Sequence, residues 1–292
     1  MNWYRGFEHC VREREPLAPH CWLGLGGPAR YFAEPTTPEE LISIVKQARD
    51  AELSTRLIGS GSNLLIRDEG FDGVVIRLQA PAFGEIRVEG EMLVAGGGAQ
   101  LSYVIISAVR EGLAGLEGLV GIPGTVGGAL HGNAGDRTFH VGNCMDQAVV
   151  LTRSGQTLTR SKEEMHFAYR ESSLDELAIL EAHFRLDPED HDELVRRVQK
   201  MWIVKRANQP GRERRTACLF KDPMGATASE LIEQAGLRGY AEAGASLYDR
   251  DANFVLVGDE STSAEVLKLM DVVRERVLSQ LGVELATAVQ IW

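Results

Sequence analysis

Cysteine is scarce in this chain: Cys10, Cys21, Cys144 and Cys218 are the only four in 292 residues, and no two form a CxxC pair. The seven histidines form no HExxH motif and no Cys/His cluster at zinc spacing. Neither a disulfide framework nor a metal is therefore expected. No apolar run approaches the about 18 residues that a membrane span needs. The opening residues, MNWYRGFEHCVREREP, carry charges where a secretory leader would carry its apolar stretch. The expectation is a cytoplasmic protein without membrane insertion. Basic residues are also in deficit, 31 Lys and Arg against 42 Asp and Glu, for a formal net charge of −11. Affinity for nucleic acid rests largely on phosphate neutralisation, so this balance argues against nucleic acid as the main partner and makes any anion site local.

What the sequence has in excess is glycine, 31 residues, well above the usual ~7%. Composition is otherwise that of a globular protein, 44% hydrophobic and 25% charged, and the length suffices for two or three domains.

Local patterns give alternating helices and strands. Thr37-Pro38-Glu39-Glu40 reads as a helix start, with Thr37 as N-cap, Pro38 in the first helical position and Glu40 closing a capping box, before LISIVKQARDAEL. STRLIG and GVVIRL read as strands around a glycine-rich turn. A second region contains EIRVEGEMLVAGGGAQL, with two strand-like runs, and a helix LSYVIISAVREGL stopped near Gly112. A turn-rich stretch, GLEGLVGIPGTVGGALHGNAGD, precedes a hairpin around Ser154-Gly155, the strand LAILEAHFRL and the helix HDELVRRVQKMWIVKRAN. The last region carries the helix SELIEQAGL, the strand NFVLVG, a long helix with a Thr262/Glu265 capping box and a Gly282 stop, and a strand-like ATAVQIW. The expected division is 1–82, 83–205 and 206–292.

Four elements carry candidate chemistry. Gly59-Ser60-Gly61-Ser62-Asn63 can turn sharply and aim N–H groups and hydroxyls at a diphosphate; a tight hairpin loop is the plain alternative. Gly121-Ile122-Pro123-Gly124-Thr125-Val126-Gly127-Gly128, followed by Asn133-Ala134-Gly135, fits neither GxGxxG with a downstream acid nor GxxxxGK[ST]. Two such loops in one chain favour a large planar cofactor over a core-packed turn. Tyr169-Arg170-Glu171-Ser172-Ser173 offers an arginine for a carboxylate, or merely a surface ion pair. The segment from Lys205 to Lys221 holds Lys205, Arg206, Arg212, Arg214, Arg215 and Lys221 against the single acid Glu213, so it suits an anionic ligand or forms a solvated face. Cys218 lies inside it, where positive charge would favour its thiolate, although a buried inert cysteine is the commoner case.

In order along the chain, LGGPARYF, IGSGSNLLIRDEGFDGVVIRL, GLEGLVGIPGTVGGALHGNAG, YRESS, NQP, CLFKDP, ELIEQAGLRGY and DANFVLV resemble the UDP-N-acetylenolpyruvoylglucosamine reductases, also called UDP-N-acetylmuramate dehydrogenases, over about residues 20 to 291. The resemblance implies an α+β protein: an FAD-binding fold of the vanillyl-alcohol-oxidase type in two α+β subdomains (1–82 and 83–205), plus a C-terminal α+β substrate-binding domain (206–292), in the compact form of the family. It implies non-covalent FAD held by Gly59, Ser60, Gly61, Ser62, Asn63, Gly121, Ile122, Pro123, Gly124, Thr125, Gly128 and Gly135. NADPH would supply hydride, and the UDP-sugar enolpyruvyl ether would be reduced to UDP-N-acetylmuramate for peptidoglycan by an enzyme expected to be a monomer.

Hydride addition to the terminal alkene carbon pushes charge towards the adjacent carbon and its carboxylate, so the reaction needs a fixed cation and a proton donor. By resemblance Arg170 is the cation, Cys218 stands where most members carry a serine donor, and Tyr169 and Lys221 bind substrate, Lys221 at the diphosphate. The chain also departs from the family. Ala288 stands where a catalytic glutamate is usual, Asp251 where histidine is usual, and Tyr248 where serine is usual. Two compensations are conceivable: Cys218 as a stronger acid than serine, or Asp251 supplying the lost carboxylate. The other readings are a catalytically altered FAD- or UDP-sugar-binding paralogue and a related flavin oxidase with another substrate.

Overall fold

The computed structural model describes residues 3–211 and 215–292. Arg212, Glu213 and Arg214 of the basic segment lie outside the described residues. The first elements are β1 (Val11–Pro16), β2 (Pro28–Ala33), α1 (Pro38–Asp50), β3 (Thr55–Ile58), β4 (Leu64–Leu65) and β5 (Phe71–Arg77). They are followed by β6 (Ile86–Glu89), β7 (Met92–Gly96), α2 (Leu101–Arg110), β8 (Leu113–Ala114) and α3 (Val126–His131). Then come β9 (Met145–Leu151), β10 (Thr157–Ser161), β11 (Phe167–Ala168), β12 (Glu171–Ser172), β13 (Ala178–Arg185), β14 (Asp187–Pro188) and α4 (His191–Asn208). The last third holds β15 (Thr216–Cys218), α5 (Ala228–Gln234), β16 (Ala241–Glu242), β17 (Ala245–Tyr248), β18 (Asp251–Val257), α6 (Ser263–Leu281) and β19 (Gln290–Ile291).

These elements form two compact units, and each is discontinuous in sequence. The first comprises Met1–Glu15, Ala29–Ser60 and Asp72–Ile203. One sheet has the order β1-β2-β5-β3, with β3 parallel to β5. Helix α1 lays Leu41, Ile44, Val45 and Ala48 into the core beside this sheet, the stripe that a 3.6-residue period predicts. The other sheet is antiparallel, in the order β10-β9-β13-β7-β6. Helix α2 buries Leu101, Val104, Ile105 and Ala108 in its core, a second stripe of the same spacing. Gly112, at φ +68°, takes the left-handed conformation that ends this helix.

The second unit gathers Pro16–Pro28 and Gly61–Phe71 with Val204–Trp292, so two stretches of the N-terminal third fold with the C-terminal third. Its sheet is antiparallel, in the order β15-β18-β17-β16. Helix α6 starts at a complete Thr262/Glu265 capping box and stops at Gly282, φ +70°, as its sequence predicts. Asp68 adds a long-range cap: its carboxylate accepts from the N–H groups of Ser263 (3.0 Å) and Ala264 (3.3 Å), while Ser263 Oγ accepts from Asp68 N (2.9 Å). The chain end is tied down where β19 pairs in parallel with β4.

Two local expectations are modified. Thr37 does cap α1, but the Glu40 side chain accepts from the N–H and the hydroxyl of Thr36, both at 2.7 Å. Two donors on Thr36 outcompete the single N–H of Thr37, so the capping box is shifted by one residue. The turn-rich glycine stretch contains the short helix α3, which Thr125 caps by accepting from Gly128 N. Among the described residues, no helix is long and apolar enough to cross a membrane.

In the first unit, Glu117 accepts from Gly115 N (2.6 Å) and from Arg197 Nη1 (2.7 Å). Burial pushes its pKa up, but the Gly115 N–H and the Arg197 guanidinium outweigh burial and hold the carboxyl below its ordinary value. A depressed folded pKa contributes stability above the unfolded pKa, and that contribution is lost as pH falls through the folded one. Glu117→Gln is expected to lose about 1 kcal/mol at neutral pH, with the deficit closing as urea titrations move into acid. A deficit that stays constant with pH would show that the charge is not its source.

Candidate active site

In the first unit, the end of β3, the end of β5, the turn after β7, Tyr103 on α2 and Thr125 surround a cleft of about 300 Å³. Gly97 N donates to Leu180 O (2.8 Å) and Gly98 N to Phe83 O (2.9 Å), while Gly127 N donates to Gly97 O (2.8 Å) and Val126 N to Ala99 O (2.9 Å). This lattice leaves no room for side chains. A Cβ on Gly97 would lie 1.8 Å from Ile179 O, one on Gly98 2.3 Å from Leu78 O, and one on Gly59 2.5 Å from Thr125 Oγ1. The wall is thus bare backbone, with the hydroxyls of Ser60 and Thr125, the Gln100 amide and Arg77 around it. Such a surface lets a phosphate chain approach the main chain closely.

Of the residues expected to hold cofactor, Gly59, Ser60 and Thr125 line this cleft. Gly121 and Gly124, at φ +81° and +135°, shape the turn around Ile122 and Pro123 that leads to Thr125, and Gly128 is exposed on α3. Gly135 is buried at a β-bridge with His140. Gly61, Ser62 and Asn63 belong to the second unit. There Gly61, at φ +66°, packs on the His20 carbonyl, and Asn63 Nδ2 donates to Ala288 O (3.1 Å). Sequence reasoning missed Gly97, Gly98, Gln100 and Tyr103. The signal was the triplet Gly96-Gly97-Gly98, read only as a strand end.

Tyr169 and Arg170 form the two-residue turn of the β11–β12 hairpin, also in the first unit. Arg170 has φ +58°, a conformation that costs a non-glycine residue energy, and its Nε is buried without a hydrogen-bond partner. The Arg137 guanidinium stacks 4.2 Å from the Tyr169 ring centroid. Asn133, fully buried, braces the hairpin: its Nδ2 donates to Ala168 O (2.6 Å) and its Oδ1 accepts from Gly142 N (3.2 Å). A strained turn carrying an unsatisfied buried donor is the signature of a group awaiting a ligand.

In the second unit, Cys218 ends β15 opposite Phe254 of β18. Its thiol points to Phe220 O (3.8 Å) and accepts from Asn253 Nδ2 (3.4 Å). Asn253 is 6% exposed and also grips the Phe220 peptide, donating to its O (2.8 Å) and accepting from its N (3.0 Å). Lys221 N donates to Ala286 O (2.8 Å) and Ala288 N to Leu219 O (2.8 Å), so the segment with Ala288 runs beside the segment from Cys218 to Lys221. Asp251 lies in register with Tyr248, and its Oδ1 accepts from Asn253 N (3.1 Å). Arg215, expected among the anion-binding cations, instead clamps main chain: Nε donates to Leu23 O (2.8 Å), Nη2 to Gly24 O (2.6 Å) and Nη1 to Gly258 O (2.9 Å).

The glycine-walled cleft, its neutral hydroxyls and an arginine whose buried Nε has no hydrogen-bond partner fit a protein that binds a dinucleotide cofactor and an anionic substrate. Residues 29–161 match the family model described as FAD binding domain, and residues 209–292 match the UDP-N-acetylenolpyruvoylglucosamine reductase, C-terminal domain. The class is therefore that of FAD-dependent oxidoreductases with the vanillyl-alcohol-oxidase type of FAD-binding fold.

A reductase of that name from Rhodopirellula baltica is 40% identical over 284 residues, covering 97% of this chain and 93% of the relative. One from Heliobacterium modesticaldum is 36% identical, covering 98% and 92%. The crystal structure of the Thermus caldophilus reductase superposes with a TM-score of 0.81 at 33% identity, covering 97% of this chain and 99% of that one. A Phl p 4 variant, a glucose dehydrogenase, shares only the fold, with a TM-score of 0.50 at 14% identity, covering 94% of this chain and 61% of that one. The chain belongs to the UDP-N-acetylenolpyruvoylglucosamine reductase family.

Gly59→Ala is expected to weaken FAD retention about tenfold or more, because its methyl meets the Thr125 hydroxyl. Thr125→Ala in the same background should recover part of the loss by making room. The check is the flavin-to-protein absorbance ratio after gel filtration; full flavin in the single variant would refute the role of this close approach.

Proposed function

We propose that this chain reduces the enolpyruvyl group of UDP-N-acetylglucosamine enolpyruvate to UDP-N-acetylmuramate, with NADPH as reductant, in the cytoplasm and as a monomer. The observation that carries the reading is the likeness to reductases of this name over nearly the whole of both chains. Residues 1–82 and 83–205 serve as FAD-binding subdomains and 206–292 as the substrate-binding domain. Gly59, Ser60 and Thr125, with the missed Gly97 and Gly98, form the part of the flavin site that the cleft exposes. Bound flavin would supply the hydride chemistry.

The remaining steps fall to protein side chains. Arg170 provides the cation for the substrate carboxylate; its guanidinium lies 6.0 Å from the Tyr169 ring centroid, and its strained backbone and buried Nε without a hydrogen-bond partner leave that nitrogen for a ligand. Tyr169, stacked by Arg137, and Lys221 contact substrate, Lys221 at the diphosphate. Cys218 hands its proton to the carbon next to the carboxylate. Asn253 orients the sulfur by donating to it, and the S–H hydrogen, which points to Phe220 O, turns from that carbonyl to the substrate carbon. Ala288 cannot support a proton relay, which leaves the acidity of the thiol itself as the compensation. Asp251 is less suited, because one of its oxygens already caps the Asn253 N–H.

The decisive experiment is anaerobic: reduce the flavoprotein with NADPH, add the enolpyruvyl UDP-sugar and follow flavin reoxidation with product analysis. Rapid reoxidation with UDP-N-acetylmuramate is expected, whereas flavin that stays reduced would favour a binding paralogue or another acceptor. Cys218→Ala should slow reoxidation about 100-fold or more while leaving reduction by NADPH unchanged, and Cys218→Ser should keep measurable turnover. Cys218→Ala at the parent rate would remove the thiol from the mechanism. In that case Asp251→Asn, expected otherwise to be active, becomes the variant that should fail.

A further inference from the structure

His9 and Cys10, just ahead of β1, meet Glu40 in the first turn of α1, although His9 and Glu40 stand 31 positions apart. A ring nitrogen of His9, the Cys10 sulfur and a Glu40 oxygen all lie within 4.8 Å of one another, and His9 Nε2 is 3.1 Å from Glu40 Oε1. The carboxylate is divided between two tasks. Oε2 accepts from the Thr36 N–H and hydroxyl, which fixes the group, while Oε1 faces the imidazole. Cys10 is 6% exposed, and its thiol makes a long 3.5 Å contact with Phe7 O. The His9 side chain is 53% exposed.

We propose that His9, Cys10 and Glu40 bind a borderline divalent cation of the Zn²⁺ type. Ligands on a tetrahedral Zn²⁺ at bonds of about 2.1 Å stand about 3.4 Å apart, and a sulfur at about 2.3 Å stands about 3.6 Å from either. The nitrogen–oxygen pair is already near that spacing, and the sulfur, within 4.8 Å of either, must close by about 1.2 Å at most. Thiolate, imidazole and carboxylate together select zinc-like ions over Mg²⁺ or Ca²⁺, which want oxygen alone. On binding, the Cys10 S–H bond is replaced by a sulfur–metal bond and its proton goes to solvent. The thiolate and carboxylate then neutralise the ion. The positive end of α1 opposes a cation, a small effect beside two coordinating anions. Solvent completes the coordination on the exposed side of His9. The ion would fasten the N-terminal residues to α1 and act on the stability of the first unit, apart from the flavin chemistry.

The test uses tag-free, chelator-treated flavoprotein titrated with Co²⁺, whose tetrahedral d–d absorption falls in the red, clear of the flavin bands. One equivalent is expected to give the intense tetrahedral spectrum, Zn²⁺ to displace it, and Zn²⁺ alone to raise Tm by several degrees. His9→Gln, at an exposed position, and Cys10→Ala should each weaken uptake about tenfold or more. Absence of a stoichiometric tetrahedral spectrum, or uptake unchanged in His9→Gln, would overturn the proposal. The second result would assign the ion to Cys21, Cys144 or Cys218 instead.

Discussion

The constraint on which the first unit depends is the approach of main chain to main chain where Gly97 meets Gly127, and of main chain to a hydroxyl where Gly59 meets Thr125. Backbone groups placed this close must satisfy one another, and the bonds from Gly97, Gly98, Val126 and Gly127 do so. Because a Cβ at Gly97 or Gly98 would fall within bonding-like distance of a carbonyl oxygen, part of the surface left to a cofactor is peptide backbone with the hydroxyls of Ser60 and Thr125 beside it. The same contacts join the turn after β7 to the start of α3, so one set of interactions both closes the fold locally and shapes the cleft.

The arrangement around Cys218 is ordered by hydrogen bonds from Asn253. Asn253 holds the Phe220 peptide at both ends and also touches the sulfur, which makes the position of the thiol a property of the sheet rather than of one flexible side chain. The segment bearing Ala288 makes backbone bonds to Leu219 and, through Ala286, to Lys221. Arg170 shows the reverse economy: strain and a missing partner are retained in a turn that Asn133 anchors, as expected where binding rather than folding sets the residue.

Much of the local structure could be read from residue patterns. The stripes of α1 and α2, the capping box and glycine stop of α6, and the hairpin after β9 are short-range features that depend on neighbours within about one turn or one strand pair. The two long glycine loops were also visible. The third, Gly96-Gly97-Gly98, was not, because a glycine after a strand has the same local appearance whether it ends the strand or lines a cleft. Arg215 could not be placed for a related reason: its charge suits an anionic ligand or a solvated face in sequence, but carbonyls of Leu23, Gly24 and Gly258 occupy its guanidinium in the fold.

The sequence by itself determined the element types, the glycine loops and, through ordered motifs, the family to which the chain belongs. Tertiary structure decided how residues 16–28 and 61–71 are shared with the C-terminal third, which glycines face the cleft and which groups bind Arg215. It also decided the braces on Cys218 and the meeting of His9 and Cys10 with Glu40. The division follows from range: propensity, capping and turn chemistry act between near neighbours, whereas the partner of a side chain or a bare peptide is fixed only when distant segments pack.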